Sequence, residues 1–146
     1  MTGTKEVVMG TRTRRRTADN AVRRILVVDD DPTIRNILVQ VLKLEGYDVQ
    51  AACNGGEAFE RCSTETRPFD VLVTDLMMPL MGGKELIQRA RSLHPALRAI
   101  CLSASFSETW LDRSVLFLPK PFSLKAIVAL VQTALEGTTR RAAESA

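Results

Sequence analysis

Five polar residues stand where apolar runs end. Asp29 and Asp30 follow residues 25–28, Asp75 follows 69–74, Ser103 follows 99–102, and Lys120 lies just past 115–118. Three carboxylates brought together repel one another and raise carboxyl pKa values. A hard divalent cation among them relieves that repulsion, because such cations take oxygen ligands. A lysine beside them adds further positive charge, so the pocket suits an anionic group, phosphoryl foremost. Asp75 is the candidate nucleophile, since a carboxylate can attack phosphorus and carry an acyl phosphate. Asp29 and Asp30 are the candidate cation ligands. Ser103 can hydrogen-bond one phosphoryl oxygen and Lys120 can neutralise another. Each signal alone is common; the ordered set, each member at a run's end, is specific.

The elements that position them are short and regular. Ile25, Leu26, Val27 and Val28 form an all-apolar run, the pattern of a strand buried on both faces. Asp31 can cap a helix that Pro32 begins, with Ile34, Ile37, Leu38, Val41 and Leu42 as its inner stripe and Gly46 as its stop. Residues 47–52 read as a second strand. Asn54, with Glu57 three residues on, opens a second helix with Ala58, Phe59 and Cys62 inside. Residues 69–74 are the third strand, and Leu86, Ile87 and Ala90 mark a third helix. Residues 99–102 and 115–118 are the fourth and fifth strands. A last helix runs from about Ser123 to Glu136, closed by Gly137. Such alternation predicts an α/β fold, a five-stranded parallel sheet with helices on both faces and right-handed crossovers. Ligands of such sheets bind at the carboxyl ends of the strands, where the five polar residues stand.

Composition fits one domain with tails. The chain has 146 residues, 45% apolar and 5% aromatic, which predicts an aliphatic core. No apolar stretch approaches the roughly 18 residues of a membrane span, and no apolar run follows the basic N-terminus as a secretory signal would require. The net charge of +3 is uneven: residues 1–24 carry seven basic side chains against two acidic, the rest thirteen against fifteen. Residues 1–22 lack apolar periodicity and read as a flexible basic tail, with 23–137 as the domain and 138–146 as a short C-terminal tail. Arg12 to Arg16 could contact a polyanion, but no aromatic or second basic patch accompanies them, so a solvated tail is expected and no nucleic-acid or membrane partner. Cys53, Cys62 and Cys101 lack metal-ligand spacing and read as buried or half-buried free thiols in a reducing cytoplasm.

The stretches Ile25-Leu26-Val27-Val28-Asp29-Asp30-Asp31-Pro32, Asp70-Val71-Leu72-Val73-Thr74-Asp75-Leu76-Met77-Met78-Pro79, Met81-Gly82-Gly83, Leu102-Ser103-Ala104 and Phe117-Leu118-Pro119-Lys120-Pro121-Phe122 resemble those of bacterial two-component receiver domains. The resemblance covers roughly residues 24 to 136. It implies the flavodoxin-like receiver fold, Asp75 as phosphoacceptor, and a histidine kinase or histidine phosphotransfer protein as donor. It implies Mg²⁺ (or Mn²⁺) held by Asp29, Asp30, Asp75 and the backbone carbonyl of Met77. Ser103 and Phe117 would form a switch, the hydroxyl moving towards the phosphoryl group as the ring turns inward. The Lys120–Pro121 peptide would be cis. Output would be phosphorylation-dependent protein contact, without enzymatic turnover on external substrates.

The chain departs from the family pattern in one region. Only 16 residues separate Ser103 from Lys120, and the familiar Gly-Ala pair before the fifth strand is missing. The fourth helix should be short, around Glu108 to Arg113, or irregular, which resembles receivers of hybrid histidine kinases and puts dimerisation through that face in doubt. Phe117 replaces the commoner Tyr.

Blander readings apply elsewhere. Met77, Met78 and Met81 could form a soft partner surface, though packing for one and loop for the rest is the simpler expectation. Trp110 is either a partner contact or cover for the fourth strand. His94 ends the third helix and, as the one histidine of the chain, has no catalytic company. The leading expectation is a stand-alone receiver, since no output domain follows Gly137. A phosphorylation-independent adaptor is one alternative. A Mg²⁺-dependent phosphohydrolase is another, but it would need an acid where Met77 stands.

Overall fold

The computed structural model describes residues 22–104 and 114–145, with side chains to Glu136. Five strands run parallel in the order β2-β1-β3-β4-β5: β1 Arg24–Val28, β2 Asp48–Ala52, β3 Val71–Asp75, β4 Arg98–Ser103 and β5 Val115–Pro119. Four helices are described: α1 Pro32–Leu44, α2 Gly55–Thr64, α3 Gly83–Leu93 and α4 Leu124–Ser145. β1, β3 and β4 lie inside the sheet, and apart from Arg98 at the start of β4 every residue in them is buried. This is why they read as continuous apolar runs rather than as alternation.

Alternate residues of each strand feed two cores. Leu26, Val28, Leu72, Ala99 and Cys101 pack with Ala58 and Cys62 of α2 and with Leu86, Ile87 and Ala90 of α3. Ile25, Val27, Val71, Val73, Ile100 and Leu102 pack with Leu38 and Leu42 of α1 and with Ile127, Val131 and Ala134 of α4. Side chains such as Leu72 and Ile100 are wholly inaccessible, each burial contributing about 1.5–3 kcal/mol. Helix starts follow the expected chemistry. Asp31 accepts from Thr33 N at 2.9 Å ahead of Pro32, and Asn54 accepts from Glu57 N at 2.7 Å while Glu57 takes the N–H of Cys53 at 2.8 Å. Gly46, at φ 98°, sits just beyond the end of α1, where a left-handed residue releases the chain into β2.

Several expectations need correction. Ile37 is not part of the inner stripe of α1 but is 43% exposed, because Leu38 and Leu42 take the positions over the sheet. Tyr47 precedes β2 rather than beginning it, yet its ring is buried in the α1/α4 core. Gly137 does not close α4, which continues to Ser145; one glycine costs a helix only about 1 kcal/mol. Cys53 is exposed, while Cys62 and Cys101 are buried thiols as expected. Arg24, counted with the N-terminal basic charges, is 4% exposed and folded into the base of the sheet. The basic run Arg12 to Arg16, the short helix expected around Glu108 to Arg113, and Trp110 all lie outside the described residues.

Candidate functional site

Register brings the predicted residues to one edge. Asp75 ends β3 opposite Leu102, and Ser103 ends β4 opposite Pro119. Backbone bonds tie these ends together: Leu76 N donates to Leu102 O and Lys120 N to Ser103 O, each at 2.8 Å. Asp29 N reaches Ala52 O at 3.3 Å, so the turn after β1 is held against the end of β2. The loop after Asp75 folds back tightly, with Gly83 N donating to Leu76 O at 2.9 Å. A Cβ on Gly83 would lie 2.5 Å from Asp75 O, which leaves glycine as the residue that fits.

The side chains converge. One carboxylate oxygen from each of Asp29, Asp30 and Asp75 lies within 4.8 Å of the others. Asp29 is fully buried and Asp75 is 7% exposed, whereas Asp30 faces solvent. Lys120 Nζ sits 3.3 Å from Asp29 Oδ2 and 3.2 Å from Asp75 Oδ1, bridging the two buried acids. Asp31 N donates to the other Asp29 oxygen at 2.9 Å. Burial and then the Asp29 charge push the Asp75 carboxyl above its ordinary value, against the pull of Lys120, and Asp30 adds to the rise. Burial lowers the Lys120 ammonium pKa, but Asp29 and Asp75 together carry it above its ordinary value. One cation therefore does not balance the carboxylates around it. An all-oxygen donor set with surplus negative charge fits a hard divalent ion.

The remaining expected residues are placed as follows. Ser103 is 2% exposed and continues the face of Ala99 and Cys101. Phe117, half-buried on the same face, packs against that core directly opposite Cys101. Ser103 and Phe117 are thus diagonal neighbours across β4 and β5. The Lys120–Pro121 peptide is cis. Met77, two residues past Asp75, turns its side chain outward at 74% exposure, while Met78 and Met81 pack against the α2/α3 core. His94 caps α3, its Nε2 3.2 Å from Cys62 O, far from chemistry of its own. The sequence did not point to Arg35, whose guanidinium donates to Asp29 O at 2.8 Å. An arginine one turn into an amphipathic helix carries no signal that its target is a backbone carbonyl.

Residues 25–132 match the family model for the response regulator receiver domain. The chain belongs to that family. Receiver domains of two-component systems accept a phosphoryl group, and this chain is one of them. It is 36% identical over 120 residues to the response regulator receiver protein CpdR of Brucella abortus, covering 78% of this chain and 98% of that protein. It is 34% identical over 117 residues to the sensor kinase CckA of the same bacterium, covering 77% of this chain but 12% of that kinase. The crystal structure of a receiver domain from the hybrid histidine kinase CckA superposes with TM-score 0.64 at 30% identity, covering 77% and 98% of the two chains. The chemotaxis protein CheY4 of Vibrio cholerae superposes with TM-score 0.72 at 28% identity, covering 79% of this receiver and all of that chain. No helix of the described residues is long and apolar enough to cross a membrane.

Proposed function

We propose that Asp75 is the phosphoacceptor of this receiver. The carrying observation is the placement of Lys120 Nζ 3.2 Å from Asp75 Oδ1 within a cluster of three carboxylates. Asp29, Asp30, Asp75 and the Met77 carbonyl would hold Mg²⁺ or Mn²⁺, which when bound offsets negative charge on the acids and on the incoming phosphoryl oxygens. An Asp75 oxygen attacks the phosphorus of a phosphohistidine, forming an O–P bond as the N–P bond breaks and the imidazole nitrogen leaves. Lys120, already drawn to Asp75, neutralises one phosphoryl oxygen, and Ser103 donates to another. That second contact draws the Ser103 hydroxyl towards the new group and opens room on the face where Phe117 packs, so ring and hydroxyl act as a switch.

Donor and output follow from the same reading. The donor is a histidine kinase or a histidine phosphotransfer protein, and the output is a phosphorylation-dependent protein contact in the cytoplasm, with no nucleic acid or membrane involved. Residues 23–137 act as the signalling unit, and residues 1–22 and 138–146 flank it. Turnover on external phosphate esters is not expected, because Met77 stands where a general acid would be needed. Incubation with acetyl phosphate and Mg²⁺ should add one phosphoryl group to the intact protein by mass spectrometry, with none added in EDTA. Asp75→Asn should abolish the addition, and wild-type labelling of that variant would sink the assignment.

A further inference from the structure

Asp29 is restrained at every polar atom. Its N–H donates to Ala52 O, one carboxylate oxygen accepts from Asp31 N, the other faces Lys120, and its carbonyl accepts from Arg35 Nη1 at 2.8 Å. That carbonyl belongs to the peptide plane leading into Asp30. Asp30 itself has an exposed side chain with no hydrogen bond or ion pair among the described residues, so its backbone alone decides where its carboxylate starts. The guanidinium of Arg35, one turn beyond the Asp31 cap on α1, holds the carbonyl of that plane, while Asp31 N–H holds the Asp29 side chain. Arg35 is half-buried and spends its hydrogen bond on a backbone oxygen rather than on a carboxylate. Its charge also reaches the end of β2, where it opposes the rise of the Cys53 thiol pKa caused first by Glu57 and then by burial.

We propose that Arg35 is a positioning residue for the divalent cation, holding the Asp29–Asp30 peptide so that the Asp30 carboxylate is aimed at the site. The inference rests on the cation reading given above. It separates cleanly from a purely electrostatic role, because the two predict opposite signs. A fixed positive charge near a cation site weakens binding, so its removal would tighten binding. Loss of a positioning contact weakens binding instead, and outer contacts of this kind are worth about tenfold or more in metal affinity.

The test is titration of the full chain with Mn²⁺, followed by electron paramagnetic resonance of the free ion, with Mg²⁺ as competitor. Arg35→Met, which keeps the stem and removes charge and donors, should weaken Mn²⁺ binding about tenfold. Arg35→Lys, which retains a donor and the charge, should stay within about threefold of wild type. Thermal melts without cation check that each variant is folded, and Arg35→Leu, which likewise lacks charge and donors, replaces Arg35→Met if the latter is not. Unchanged or tighter binding in a folded Arg35→Met would overturn the inference, even if its melting point falls. A wild-type chain that binds no Mn²⁺ would instead overturn the cation reading itself.

Discussion

At the N-terminal edge of the sheet Arg24, 4% exposed, sends its guanidinium to Asp48 Oδ2 at 3.0 Å, Glu65 Oε1 at 2.8 Å and the Arg67 carbonyl, and lies 4.6 Å over the Phe69 ring. At the C-terminal edge Asp75, 7% exposed, shares one ammonium with Asp29 while Asp30 adds a third negative charge. Both edges bury charge on the same five strands. At the first, burial depresses the Arg24 pKa, but Glu65 and Asp48 more than restore it, and the charged form is favoured. At the second, burial and neighbouring acids disfavour the charged form of Asp75. A buried charge whose partners satisfy it holds a fold together; one left short of partners is poised to take a ligand. The far edge is a clasp and the near edge is a candidate site.

The sharpest way to break the comparison is at the clasp. Arg24→Met strands Asp48, Glu65 and a carbonyl and should cost about 3 kcal/mol, less than a fully enclosed pair because the partner acids are partly exposed. Urea denaturation measures this, while acetyl phosphate labelling of the folded fraction should be unchanged. At the site the expected sign is reversed by a cation. Mg²⁺ at about a hundredfold its dissociation constant should add about 2.7 kcal/mol by mass action, seen as a raised melting point. Asp30→Asn should lose most of that gain.

The smallest effect tests the electrostatic contrast alone. A carboxyl whose folded pKa lies above its unfolded value contributes stability below the unfolded pKa and loses it as pH rises through the folded one. For Asp75 that window opens near the ordinary 3.8 and runs upward, so at neutral pH without cation its charge works against folding. Asp75→Asn should melt at a higher temperature than wild type at pH 7, and the difference should shrink on acidification. A lower melting point for the variant at neutral pH would contradict the contrast.

Much of the site was legible because its residues sit in strongly patterned places. Asp29 and Asp30 follow, and Asp75 and Ser103 end, strands buried on both faces, where an apolar run leaves a polar residue conspicuous. Their convergence follows from parallel topology, and Lys120 follows from the fifth strand in the same way. The clasp was not legible. Arg24, Asp48, Glu65 and Phe69 lie on four separate segments, and nothing local marks them as partners; by charge count alone Arg24 groups with the basic residues at the N-terminus. Arg35 was missed for a related reason, since its partner is a backbone atom that every residue possesses. Ile37 fell on the helical stripe by spacing but not by packing, because the stripe is wider than the face the sheet covers. Gly137 was read as a stop on local propensity alone, and α4 runs through it.

The most direct test of the central claim is chemical mapping of the phosphorylated residue. Wild-type chain treated with acetyl phosphate and Mg²⁺, then reduced with borohydride and digested, should yield reduced product at Asp75 and at no other acidic residue. Reduction product at Asp29 or Asp30, or none at all from a sample that had gained a phosphoryl group, would contradict the account.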